Sequence, residues 1–293
     1  MLSNHMRYPV SPADRGHTER MEVYPPARNY MHTGTRHRQV VEQVIHEMRQ
    51  RLDEPLSLND MAEIASLSPL HFNHVFRDVT SVPPRKFQAA LRMQKAKELL
   101  LTTTMSVSDI CFEVGYASLG TFTTHFTRWV GVSPRHLRKV PELLDPSALH
   151  APAHDPATGM AGHHHVTVNL TIQPEFTGHV FLGLFPSSLP ENRPVACAVM
   201  RSSGTCQLLS VPDGQYYLCA MAIDRPKDAR SWLLPEQQSL YVGASVEPLP
   251  IQPGVAMVPS QIRMRQAQLI DPPVLTALPF LFAGRVTGGA SDN

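Results

Sequence analysis

Cysteine is scarce in this chain of 293 residues: Cys111, Cys197, Cys206 and Cys219 are the four, and no pair stands in C-x-x-C spacing. A disulfide framework is therefore excluded, and the N-terminal stretch MLSNHMRYPVSPADRGH lacks the apolar core of a signal peptide, so a reduced, cytosolic protein is expected. Long apolar runs are missing as well. The most apolar segment, VLTALPFLF at 274–282, is broken by Pro279 and falls far short of the roughly 20 residues that cross a bilayer, so no membrane partner is expected. There is no G-x-S-x-G, no H-E-x-x-H and no Walker loop, hence no nucleophile, metal or phosphate constellation to support an enzyme, and no cofactor is expected. Excess charge is absent from the whole, with 26 Lys and Arg against 25 Asp and Glu.

What is present is unevenly distributed. Residues 36–140 carry 14 basic against 10 acidic side chains and six histidines, whereas residues 145–271 carry 7 against 10. The first segment is suited to facing phosphates and the second is not. Residues 1–35 mix Pro, Arg, His and Met without periodicity and are expected to form a disordered arm. From Val40 the spacing of Val41, Val44, Ile45, Met48 and Leu52 predicts a helix that Pro55 ends. Ser57 is placed to cap a short helix with Asp60 in the capping-box position, Ser68 to cap a second, and Pro84 to start a long one with Phe87, Leu91 and Leu99 on its apolar side. Ser106 or Ser108 caps the next, Gly115-Tyr116 forms a turn, and Ser118 caps a helix that ends at Gly131.

These helices contain a repeat. SPLHFNHVFRDVTSVPPRKF (68–87) and SLGTFTTHFTRWVGVSPRHL (118–137) share six of twenty positions, Ser68/Ser118, Phe72/Phe122, Phe76/Phe126, Val82/Val132, Pro84/Pro134 and Arg85/Arg135. Projected at about 100° per residue, the shared aromatic residues face inward and the divergent residues outward. Two equal scaffolds with different outer faces are what two groove-reading helices require, because exposed side chains decide which base edges a helix in the major groove pairs with. A duplicated helical bundle without nucleic acid is the plainer alternative.

Ala62, Ser68, Phe72, Phe76, Pro84, Arg92, Ala96, Leu99, Leu100, Ile110, Val114, Gly115, Tyr116, Ser118, Phe122, Phe126, Gly131 and Pro134 form an ordered signature. Through it the segment from about Val40 to Lys139 resembles the DNA-binding domain of the AraC/XylS family of bacterial transcription regulators. The resemblance implies a seven-helix, all-α domain of two helix-turn-helix units, reading two successive major grooves about 34 Å apart on double-stranded DNA. It places base reading at Leu70, Asn73 and His74 in the first unit and at Leu119, Gly120, Thr121, Thr123 and Thr124 in the second. Phosphate contacts would come from Arg77, Arg85, Lys86, Arg92, Lys95, Arg128, Arg135 and Arg138. Ser66 and Ser81 stand where the family often has glycine, and the second reading face has no Arg, Gln or Asn.

Domain organisation is read as an arm (1–35), the double helix-turn-helix domain (36–141), a Pro- and His-rich linker (142–163), an all-β antiparallel sandwich (164–283) and a disordered tail (284–293). Period-two runs at Val166–Ile172, Val180–Leu184, Val195–Met200 and Tyr216–Ile223 support the sandwich, which weakly resembles transthyretin-like and carboxypeptidase regulatory-like domains; no helix is expected in it. The histidines at 150, 154, 163–165 and 179 suggest a metal site or a bland linker end, and Cys197, Cys206 and Cys219 a redox switch or buried small hydrophobes. Tyr216, Tyr217 and Trp232 would line a pocket or fill core, and Asp271-Pro272-Pro273 with the tail would pack back on the sandwich or make a subunit contact. The functional expectation is a sequence-specific transcription regulator modulated by a small-molecule effector or self-association (a homodimer), with RNA polymerase as a further partner. A constitutive, architectural DNA-binding protein with a structural interaction module is the competing reading.

Overall fold

The computed structural model of the chain describes residues 28–54, 56–143, 164–245, 247–253 and 259–281. Most of the expected arm, the linker from 144 onward, the tail and His150, His154 and His163 lie outside them. The chain divides into two units, with the boundary between Arg36 and His37. Of the first, only the opening turns of helix α1 (Arg28–Gln50) are described, so that helix begins inside the stretch expected to be disordered.

Six further helices follow: α2 (Leu58–Ile64), α3 (Pro69–Thr80), α4 (Pro84–Thr102), α5 (Val107–Glu113), α6 (Leu119–Val130) and α7 (Pro134–Leu143). Their starts are set locally. Ser57 accepts from the Asp60 N–H at 3.2 Å while the Asp60 carboxylate accepts from the Ser57 N–H at 2.7 Å, a reciprocal capping box that also holds Asp60 below its usual pKa. Ser106, not Ser108, caps α5. Ser81 and Ser66 take left-handed backbone, φ 61° and 52°, so the turns that glycine often makes are made here at a steric cost of about 1 kcal/mol or more each.

Gly115 carries a stricter requirement. Its φ is +77°, and a Cβ there would lie 2.9 Å from the Asp53 carbonyl oxygen and 3.0 Å from that of Leu52, both backbone atoms. Gly115→Ala is expected to lower stability by about 1–2 kcal/mol, measured by urea unfolding, with the turn between α5 and α6 displaced.

The long helix α4 differs from expectation. Its sequence pattern predicts one apolar side and a polar face, but Phe87, Gln88, Ala90, Leu91, Met93, Ala96, Lys97, Leu100 and Leu101 are all buried, which takes up most of its circumference. The reason is tertiary: α4 joins the two helix-turn-helix units and is also covered by the chain's last described segment.

The β region comprises β1 (His164–Thr171), β2 (His179–Phe185), β3 (Ala196–Met200), β4 (Gly204–Val211), β5 (Gly214–Ile223), β6 (Leu240–Ala244), β7 (Leu249–Ile251), β8 (Ser260–Arg263) and β9 (Arg265–Gln266). One sheet has the order β4-β1-β8 and the other β3-β2-β5-β6-β9, with β7 pairing the start of β5. Val166, Val168 and Leu170 of the first meet Val180, Leu182, Leu184, Leu218, Ala220 and Ala222 of the second in a shared core. Two details correct the expectation of a purely antiparallel, helix-free region. β1 pairs with β8 in parallel, Val168 opposite Ser260, and a short helix α8 (Ala229–Leu233) is closed by a capping box between Asp228 and Ser231.

The second sheet is covered on its other face too. Phe181, Phe185, Met221 and Ile223 join one continuous core with the helical domain, and every residue of β2 is buried. HVFLGLF is accordingly apolar at nearly every position, the pattern of a strand buried on both faces. The apolar tail packs into this shared core: Leu275, Ala277, Leu278 and Leu281 belong to the same cluster as the helical residues and as Phe181, Phe185 and Met221 of the second sheet.

Candidate nucleic-acid interface

Helices α3 and α6 are built alike. Each starts at a serine whose hydroxyl accepts a backbone N–H three residues on, Ser68 from His71 and Ser118 from Thr121, both at 3.4 Å. Each is anchored by two phenylalanines. The Phe72 and Phe76 rings lie 5.5 Å apart and Phe76 meets Phe87 edge-on at 5.4 Å, while Phe122 and Phe126 lie 5.7 Å apart with Tyr116 on Phe122 at 5.6 Å. All five phenylalanines are fully buried. Both helices end in a left-handed residue, Ser81 and Gly131.

Opposite these anchors the surface is open. Leu70 is 71% exposed and Leu119 41%; His74, Gly120, Thr121 and Thr124 are exposed, and Asn73 and Thr123 half-buried. Leu70 and Leu119 stand in the first turn of their helices, so the outward face of each unit opens on an exposed leucine.

The eight basic residues fall into distinct groups. Arg92 donates to the carbonyls of Gly115 (3.2 Å) and Glu54 (2.9 Å), and Arg138 to those of Leu100 and Met105, so both guanidiniums tie helices together. Lys95 pairs with Glu98 at 3.1 Å. Lys86 and Arg128 both reach Glu191 in the loop after β2, at 2.7 and 2.5 Å. Arg77, Arg85 and Arg135 are exposed and form no ion pair among the described residues.

Glu191 carries no signal in the sequence, where it stands in a Pro-rich stretch without a motif. It is 7% exposed. Burial alone would raise its pKa, but Lys86 and Arg128 outweigh that and hold it below the usual carboxylate range. The same loop and the C-terminal segment close the end of α6. A helix leaves its last four carbonyls without intrahelical donors. Here Thr127 O receives the Gly131 N–H, Arg128 O the Asn192 N–H, Trp129 O the Thr276 hydroxyl and Val130 O the Ala277 N–H. Three of the four donors come from beyond the helical domain in the chain.

The other candidate groups do not assemble. His164 bonds Asp213 at 2.7 Å, His165 is exposed, and His179 packs on Phe181 and Trp232, with no cluster of three or more metal-ligating side chains among the described residues. Burial pushes the Cys206 and Cys219 thiols up, Cys219 to about 12, and leaves them far from the reactive thiolate; Cys197 is buried. Tyr216 lies in the core between the sheets and Trp232 on the helical side, so they line no common pocket.

The family described as "Helix-turn-helix domain" matches residues 61–140, which span α2 to α7. The melibiose operon regulatory protein of Escherichia coli K12 is 29% identical over 119 residues, 40% of this chain and 39% of that protein. The helical domain belongs to the AraC/XylS family. The HTH-type transcriptional regulator CdhR of Pseudomonas aeruginosa is 31% identical over 130 residues, 44% of this chain and 37% of that one. This chain thus spans about two fifths of the length of these curated relatives, and the likeness lies in the AraC-type domain. Among solved structures, the DNA-binding domain of AdpA in complex with a target DNA is 26% identical over 35% of this chain and 93% of that one, with a TM-score of 0.34. No helix among the described residues is long and apolar enough to cross a membrane.

Proposed function

We propose that this protein is a transcription regulator that reads two successive major grooves through α3 and α6. The observation that carries the reading is the pair of equally capped, equally anchored helices whose outward faces differ. In the first, Asn73 is suited to adenine and His74 to guanine or a phosphate; in the second, Leu119 and the threonines are suited to thymine methyls. That second face lacks a bidentate hydrogen-bonding side chain, so it contributes more through methyl contacts and groove shape than through base-edge pairing. Arg77, Arg85 and Arg135 are the cations best placed for phosphates, since they form no ion pair among the described residues, whereas Lys86, Arg92, Arg128 and Arg138 are tied to other segments of the chain and Lys95 pairs with Glu98 at the surface. RNA polymerase and a second copy of the chain remain part of this proposal as partners.

Selection of bound sites from a random DNA pool tests it. Two half-sites about one helical turn apart are expected, and Asn73→Ala or His74→Ala is expected to cost about 1–3 kcal/mol of discrimination in one half-site only. An unchanged selected motif in both variants would show that α3 does not read bases. Neutralising Arg77, Arg85 and Arg135 together should flatten the salt dependence of binding by nearly one unit of slope for each phosphate that is no longer neutralised, across all sequences alike.

A further inference from the structure

Four of the five lysines of the chain hold their charge in an ordinary setting. Lys86 pairs with Glu191, Lys95 with Glu98 and Lys227 with Glu236, and Lys139 is exposed. Lys97 is different. It stands in the middle of α4, 3% exposed, with its Nζ donating to the Leu275 carbonyl at 3.2 Å and no carboxylate paired with it among the described residues.

A cavity of about 220 Å³ opens beside it, room for about seven waters. Its walls are Met221 of β5, Trp232 and Leu233 of α8, Leu240 of β6, and Val274, which together make an apolar chamber. The polar groups of the lining are otherwise engaged or marginal. Glu98, the other ionisable residue there, is exposed and held by Lys95, and the Thr276 hydroxyl donates to Trp129 O. Lys97 therefore brings a primary amine into a small apolar space. Burial strips water from its ammonium and lowers its pKa to about 8. At pH 7.5 about a quarter of such an amine is free, against about one in a thousand of a lysine near 10.5. A desolvated lysine in an apolar pocket is the setting in which this side chain acts as a nucleophile.

We propose that Lys97 is a covalent modification site for small apolar aldehydes, held as an imine inside this cavity. The Nζ lone pair forms the new bond to the carbonyl carbon as the C=O π bond breaks towards oxygen, which takes one proton from the nitrogen. The second N–H proton then leaves with that hydroxyl as water, and the C=N bond closes with no oxidant or reductant. The product nitrogen no longer has a hydrogen to give to Leu275 O, so the body of the aldehyde must compensate by contact with Met221, Trp232 and Leu240, which favours an apolar one. Addition of carbon dioxide to the same amine would instead leave a carboxylate in this chamber without a cation beside it, at a large desolvation cost.

Treatment of the full chain with butanal and sodium cyanoborohydride, followed by peptide mass mapping of all five lysines, tests the site. At pH 7.5 butylation of Lys97 is expected to outpace that of Lys139 and Lys227 by about tenfold or more. The ratio of Lys97 to Lys227 labelling should fall at least about tenfold between pH 8 and pH 10, because the free fraction of Lys97 levels off while that of an ordinary lysine still climbs. A difference of exposure alone would leave that ratio constant. Glyoxylate, a smaller aldehyde that carries a carboxylate, should label the surface lysines and spare Lys97. Leu234→Trp, which fills the chamber from a half-buried position at its wall, should slow Lys97 by about tenfold and leave the other four unchanged, while its melting transition shows that it folds. Labelling of Lys97 no faster than the surface lysines, or a ratio independent of pH, overturns the site. Labelling of Lys97 that is indifferent to Leu234→Trp, or as fast with glyoxylate as with butanal, shows that the cavity does not receive the aldehyde and overturns it as well.

Discussion

Phe126→Ala is expected to destabilise the protein by about 3–5 kcal/mol and to abolish reading by the second unit. The ring is fully buried, 5.7 Å from Phe122, which in turn meets Tyr116. Truncation removes the transfer free energy of a phenyl group and leaves a cavity that the flanking rings only partly close, because α6 is fixed at both ends, by Ser118 at its start and by the donors from the β region at its finish. The loss should appear in urea unfolding. Thr124, whose side chain is exposed on the outer face of the same helix, serves as the control: Thr124→Ala should change stability by no more than about 0.5 kcal/mol.

Lys97→Met is expected to stabilise the protein near neutral pH by about 2 kcal/mol, and to remove a pH dependence that the wild type shows. Lys97 is 3% exposed, its ammonium donates to the Leu275 carbonyl at 3.2 Å, and no carboxylate pairs with it among the described residues. Burial lowers its pKa from 10.5 to about 8. The charged form is therefore disfavoured in the folded state. Below about pH 8 the lysine is charged in both states and its full penalty applies. Between about pH 8 and 10.5 the unfolded chain holds a proton that the folded chain has released, so stability rises with pH, and the gain is complete above 10.5. The shift corresponds to about 3 kcal/mol, from which the unpaired Leu275 carbonyl subtracts roughly 1 in the variant. Unfolding midpoints of both proteins at pH 7 and pH 10 check this: the variant's advantage should shrink as pH rises, and an advantage constant across that range would show that Lys97 does not titrate there.

The helical domain was legible because its determinants are local. A capping serine three residues before a backbone donor, an aromatic pair at helical spacing and a left-handed residue at the helix end involve neighbours in the chain, and Ser57, Ser68, Ser118 and Gly131 act in the structure as their spacing predicts. Strands β1, β2, β3 and β5 were legible from the apolar runs at 166–172, 180–184, 195–200 and 216–223, whereas β4 and β6 to β9 were not read from the sequence. The exceptions have long-range causes. β8 pairs with β1 in parallel although most of the β region separates them in the chain, and Asp228 caps α8 in a region where no helix was expected. HVFLGLF did carry a signal of double burial, but an apolar run does not say what covers its second face.

By itself the sequence determined the family of the helical domain, the frame of its two units and the residues those units turn outward, since these follow from periodicity and spacing within short windows. Only the tertiary structure decided which cations stay available to a phosphate. Lys86, Arg92, Arg128 and Arg138 look alike in the sequence, yet two bind backbone carbonyls and two bind Glu191. It also decided that the β region closes the end of α6 and that Lys97 is buried. The physical reason is common to all three: the partner of a charge or of a helix-terminal carbonyl is fixed by the packing of segments distant in the chain, and no local pattern records it.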